Sequence, residues 1–394
     1  MSIETRPVRV VVEPGSHHML NLGDVAMLQV AVARVRELWP GASVEVIAAD
    51  PEALARHVPN VRALPAAGRY DLVDGDGPRG RLGRGGRVHL HTLAEADLLL
   101  VTGRGGTTDA FLEESLELLD EVEAALDQGV PVAMVGQGFG PMRDERLVAR
   151  ATTVLPRASL VAVRERRLAV PLLEALGVPA DRVAVTGDDA VEAAWSARPA
   201  APAESGIGLS LRVATYAGVG ADAVAAVGRV VRAAADSHGS GVVPLPISLY
   251  PSEEEAGTLA RIAGVDAPEP VESVLGAIAL AGRCRAVVAG SYHAAVFALA
   301  QGVPAIGLAS SPYYASKLEG LREEVGGRMA VVRAGGRLFE ERLRAAIDTA
   351  WETPAADRAT LVEIAGRQVE AGRAAYARLA ELVRPPAGAS VTPP

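Results

Sequence analysis

The stretch VRVVVEPGSHHMLNLGDVAMLQVAVARVRELWPGASVEVIA, residues 8–48, decides the fold class. Its first five residues are β-branched apart from Arg9, the length and composition of a buried strand. A loop of Pro, Gly and polar residues follows at 13–23, and 24–38 is an Ala, Val, Leu and Arg segment of helical length. Asp24 stands where a helix N-cap is expected, Pro40 and Gly41 stop the helix, and 43–48 is a second apolar strand. Strand, crossover helix and strand make a βαβ unit, which calls for a parallel sheet covered by helices.

The same alternation continues outward. Strands are expected at 61–64, 97–102, 130–135, 160–163 and 183–186, with helices at 111–128, 143–153 and 168–176. An Ala- and Pro-rich shift at 196–205 reads as a linker, after which the alternation restarts. Strands are then expected at 207–211, 242–245, 286–289 and 305–308, and helices at 221–237, 271–281 and 294–300. The division is 1–198 and 206–350 as two α/β domains, 355–384 as a closing helical segment and 385–394 as a frayed tail. The run DGDGPRGRLGRGGR at 74–87 is too rich in glycine for regular structure and reads as a mobile loop.

The composition, 49% hydrophobic and 22% charged, is that of a folded globular chain. A net charge of −9 offers no general attraction for nucleic acid or anionic membrane, so an anionic substrate would depend on a few placed cations. Cys284 is the single cysteine, which excludes an intrachain disulfide and a cysteine-cluster metal site and suits a reducing cytoplasm. No signal pattern opens the chain, and its apolar runs stop well short of the roughly 18 residues of a membrane span. A homo-oligomer is left open.

Glycines and polar residues collect just after the strands: Asn-Leu-Gly-Asp at 21–24, Thr-Gly-Arg-Gly-Gly at 102–106, Gly-Gln-Gly-Phe-Gly-Pro at 136–141, Gly-Asp-Asp at 187–189 and Gly-Ser-Tyr-His at 290–293. Open α/β sheets bind ligands outside the carboxyl ends of their strands, so two facing sheets would bring a donor to an acceptor, the layout of a transferase. Neither a G-x-G-x-x-G fingerprint nor a P-loop is present, which removes the main support for nucleotide redox chemistry and ATP hydrolysis.

The motifs at 21–24, 103–106 and 136–141, with Val-Arg-Glu at 163–165, Ser-Leu-Arg at 210–212 and Ser-Tyr-His-Ala-Ala-Val-Phe-Ala-Leu-Ala-Gln-Gly-Val-Pro at 291–304, resemble the polysaccharide pyruvyl transferase family over roughly residues 8–325. The resemblance implies two Rossmann-like domains facing across a central cleft, as in GT-B glycosyltransferases, with the acceptor on the N-terminal side and the donor on the C-terminal side. It also implies transfer of the enolpyruvyl group of phosphoenolpyruvate onto sugar or glycoconjugate hydroxyls to form a pyruvate ketal. Phosphoenolpyruvate would be a co-substrate, with no further cofactor required.

Such chemistry needs a general acid and holders for two anionic groups. His293 fits the acid by type and falls on the family's catalytic histidine; the alternative is a histidine satisfied at a helix start by Ser291. Arg212, at a strand end, is expected to join it as a catalytic anion holder. Ser291, Tyr292, Gly290, Arg164 and Lys317 are the expected donor contacts, and Asn21, Asp24, Gly105, Gly106 and Gln137 the acceptor contacts. Where the family commonly has Arg-x-His this chain has Ser291-Tyr292-His293, so Arg164, Arg104 or the 79–87 loop replaces the missing cation, or the donor differs. His17 and His18 read as a solvent-facing pair rather than metal ligands, and Asp188 and Asp189 as helix caps; no metal site is expected. A nucleotide-sugar glycosyltransferase and a non-catalytic sugar-binding scaffold are the alternatives.

Overall fold

The computed structural model describes residues 6–66, 92–200, 205–211, 221–251, 255–265 and 270–383. Seven strands, β1 Arg9–Glu13, β2 Ser43–Ala48, β3 Arg62–Pro65, β4 Leu98–Val101, β5 Val132–Gln137, β6 Leu160–Val163 and β7 Val183–Val185, form one parallel sheet in the order β3-β2-β1-β4-β5-β6-β7. Five more, β8 Ile207–Ser210, β9 Val242–Pro244, β10 Ala286–Ala289, β11 Ala305–Ala309 and β12 Ala330–Arg333, form a second in the order β12-β11-β10-β8-β9. Every ladder is parallel, as the crossover helices require.

The expected strands form within two residues of their expected bounds. The helices Pro51–His57, Glu255–Ala263, Pro312–Glu324 and Phe339–Trp351 and the strand β12 complete the alternation without having been anticipated. The cap of the first long helix, Leu22–Leu38, differs from expectation. Asn21, with an extended backbone, accepts hydrogen bonds from the Gly23 and Asp24 amides at 3.0 and 3.4 Å, which moves the helix start two residues upstream and puts Asp24 in its first turn. The 74–87 loop and the 385–394 tail lie outside the described residues.

One buried cluster spans the two sheets, and each sheet has a further cluster on its other face. Helix Leu22–Leu38 from the first half and helix Tyr292–Ala300 from the second contribute to the same buried cluster, and all nine residues of the second helix are buried. The helix Ala355–Ala377 closes the far side: Trp195 Nε1 donates to the Val362 carbonyl at 3.1 Å, and the Tyr376 hydroxyl to Asp189 Oδ2 at 2.9 Å. The loops also meet. The Leu22 amide donates to the Ile247 carbonyl at 3.0 Å, and the Leu249 amide to the Leu20 carbonyl at 2.8 Å. No described helix is long and apolar enough to cross a membrane.

Candidate active site

A cavity of about 390 Å³ opens between the carboxyl edges of the two sheets. From the first half it is lined by His17 and Asn21 on the loop after β1, by Asp24 in the first helical turn, by Arg104, Gly105 and Gly106 after β4, and by Arg164 after β6. The second half contributes Ser291, Tyr292 and His293 at the start of helix Tyr292–Ala300, and Tyr313 and Lys317 from helix Pro312–Glu324.

His293 lies in a helix with no solvent-facing side, so its ring is held 6% exposed between the halves. A Cβ at Gly23 would overlap that ring, and glycine is therefore what lets the two helices approach. His293 Nε2 stands 3.6 Å from Asp188 Oδ2, and Arg164 Nη1 stands 3.5 Å from the same oxygen. All three atoms are buried and none completes a hydrogen bond within the protein, so charge and proton-bearing groups converge without being satisfied. Burial by itself would raise the Asp188 carboxyl, yet His293 and Arg164 outweigh it and hold the group below the usual carboxylate range.

Arg164 also lies over the Tyr292 ring, 4.1 Å from its centroid. Burial pushes the Tyr292 phenol well above its ordinary range despite Arg164, so the ring remains a neutral platform. Lys317 is set by the first turns of its helix: Ser311 caps it, Pro312 opens it, and Lys317 Nζ donates to the Tyr313 hydroxyl one turn back at 3.0 Å. Tyr313 in turn donates to the Gly105 carbonyl at 2.5 Å, tying the second half to the first. A Cβ at Gly105 would stand 2.6 Å from both Arg164 Nη2 and Lys317 Nζ, so this loop packs directly on the cationic cluster.

The expected residues are thus largely brought together, with four corrections. Gln137 is fully buried and donates to the carbonyls of Val101, Thr102 and Val135 at 3.2, 2.7 and 2.9 Å, so it holds loops and does not face an acceptor. A register irregularity between Met134 and Gln137 on β5 accompanies that inward placement. Gly290 does not line the cavity; its amide is committed to the Ser210 carbonyl at 2.6 Å. His17 is not a solvent-facing residue: its Nε2 lies 3.1 Å from both oxygens of the buried Glu13. Asp188 is more than a cap, because Oδ1 accepts from the Ala190 amide at 2.9 Å while Oδ2 faces His293.

Ser291 occupies the N-cap position but makes no side-chain cap bond, and it faces the cavity. Arg104, Arg164 and Lys317 all line the cavity. Arg212 lies outside the described residues. Among the described residues no group of three or more His, Cys, Asp or Glu side chains is placed to hold a metal ion.

The polysaccharide pyruvyl transferase profile matches the chain over residues 21–312. No curated protein sequence matches it. Among solved structures, a UDP-N-acetylglucosamine 2-epimerase from Rickettsia bellii superimposes with a TM-score of 0.60 at 12% identity, covering 96% of each chain. The UDP-GlcNAc 2-epimerase from Neisseria meningitidis gives 0.58 at 14% identity, covering 96% of this chain and 99% of that one. The calicheamicin glycosyltransferase CalG4 gives 0.52 at 13% identity, covering 95% and 97%. Identities this low establish the architecture alone, a GT-B-like pair of parallel sheets facing across a cleft.

Proposed function

Because the chain belongs to the polysaccharide pyruvyl transferase family, and is therefore a transferase, we propose that it moves the enolpyruvyl group of phosphoenolpyruvate onto two hydroxyls of a sugar or glycoconjugate, giving a cyclic pyruvate ketal. The observation that supports this reading best is the convergence of His293 with Arg104, Arg164 and Lys317 on one inter-sheet cavity. Phosphoenolpyruvate carries a phosphate and a carboxylate, and in a chain of net charge −9 only such local cations can hold both.

In this reading Arg164 and Lys317 hold the donor's anionic groups, with Arg104 on the loop after β4 of the same sheet as Arg164. His293 delivers a proton to the methylene carbon, leaving the adjacent carbon open to attack by an acceptor hydroxyl. Asp188, ionised and next to His293, orients the ring. Asn21, at the end of the loop after β1, and Asp24, in the first turn of the helix that follows, contact the acceptor.

Purified protein incubated with phosphoenolpyruvate and a panel of glycosides is expected to release inorganic phosphate, with His293→Ala lowering the rate on the order of 100-fold or more. Calorimetric binding of a nucleoside diphosphate sugar, without binding of phosphoenolpyruvate, would select a glycosyltransferase instead.

A further inference from the structure

Two histidine–carboxylate pairs meet the same cavity, and the reading above uses only His293 and Asp188. The second pair is His17 and Glu13. Glu13 is the last residue of β1 and is fully buried, and His17 Nε2 is equidistant from its two oxygens at 3.1 Å. His17 is half-buried and lines the cavity together with His293. Arg104 Nη1 lies 3.7 Å from Glu13 Oε1, so the carboxylate is held from a second side. Burying a carboxylate is expensive unless it is paired, so a fully buried one at the end of a core strand, aimed at a cavity-lining imidazole, is a built arrangement. It stands to His17 as Asp188 stands to His293: a buried carboxylate that fixes the direction of the ring. His17 also stands on the loop that ends at Asn21, just before Asp24 in the first turn of the helix, the segment assigned to the acceptor.

We propose that His17, oriented by Glu13, is the base that removes the proton of the attacking acceptor hydroxyl. The role rests on the pyruvyl-transfer reading for the identity of the donor. The protons balance across the two histidines. His293 gives its proton to the methylene carbon as the first acceptor oxygen bonds to the adjacent carbon and its proton passes to His17. The bond from that carbon to the phosphate oxygen then breaks, and the leaving phosphate takes the proton from His17. The second acceptor hydroxyl closes the ketal and returns a proton to His293, so both residues end as they began.

The test compares wild type, His17→Ala, Glu13→Gln and His293→Ala for phosphate release, pH dependence of kcat and calorimetric affinity for phosphoenolpyruvate. His17→Ala is expected to lower kcat on the order of 100-fold or more, to leave donor affinity unchanged, to abolish the acidic limb of the pH profile and to regain rate with added imidazole. Glu13→Gln is expected to show a smaller loss with the same change of profile. His17→Gln carries the measurement if the alanine variant fails to fold. Wild-type kcat in His17→Ala, beside an inactive His293→Ala, overturns this role and leaves the pyruvyl reading standing; a loss with unaltered pH profile and no rescue assigns His17 a structural part and overturns it too. No phosphate release by wild type defeats the pyruvyl reading, and this role with it.

Discussion

The Arg164 guanidinium and the Tyr292 ring are stacked across the cleft, 4.1 Å from cation to centroid, although one follows β6 of the first sheet and the other begins a helix of the second. The stack holds the cation above a neutral ring while its Nη1 remains without a hydrogen-bond partner. An arginine so placed is fixed in direction before any ligand arrives, which lowers the ordering needed on binding.

Replacing Arg164 by Lys keeps the charge and removes the planar fork and the stacking. Steady-state kinetics are expected to show the KM for phosphoenolpyruvate rising about tenfold, equivalent to about 1.4 kcal/mol, with a smaller effect on the acceptor KM. Equal changes in both would argue against a donor contact.

Gly23→Ala sets two effects against each other. In an ordinary helix the change would stabilise by about 1 kcal/mol. Here the added Cβ would overlap the His293 ring, so the ring must leave its position beside Asp188. The expected outcome is a collapse of kcat in a protein that still shows a cooperative melt, and full activity would refute the placement of the ring.

Asp189 is buried against Tyr376, and burial, with Asp188 beside it, raises its carboxyl to about 7. A carboxyl raised in the fold above its unfolded value near 4 favours the protonated native state, so its contribution is complete below pH 4 and is lost as pH climbs towards 7. Asp189→Asn is expected to remove that decline, flattening denaturant stability between pH 4 and 7 by a few kcal/mol relative to wild type. Parallel wild-type and variant pH–stability curves would contradict it.

Gln137→Ala withdraws the donor from three buried carbonyls and leaves a void, an expected loss of about 2–4 kcal/mol in chemical denaturation. The acceptor KM of the folded variant should equal that of wild type. A raised acceptor KM with unchanged stability would restore Gln137 to the acceptor site.

That His293, Arg164 and Lys317 line one cavity was readable in advance, because Arg164 and His293 closely follow the carboxyl ends of β6 and β10 and Lys317 lies on the helix that follows β11. The exceptions depend on direction. Asp188 reads as a cap because one of its oxygens is a cap; that the other faces His293 follows from the second half of the chain folding over β7. Gln137 sits inside a glycine motif, yet the irregularity on β5 accompanies a side chain turned inward, and no spacing rule reports that. His17 reads as solvent-facing because its partner Glu13 is legible only as the end of a strand until the burial of β1 is known.

The βαβ alternation, the parallel sheets and the clustering of glycine and polar loops at strand ends were therefore set locally, by hydrophobic period and by residues that stop or cap a helix. The meeting of the two halves was not. Gly23 under the His293 ring, Tyr313 on the Gly105 carbonyl and Arg164 over Tyr292 join residues distant in the chain. Close packing of two helices through a shared core decides such contacts, and it depends on side-chain volume and direction in space, which a linear pattern does not carry.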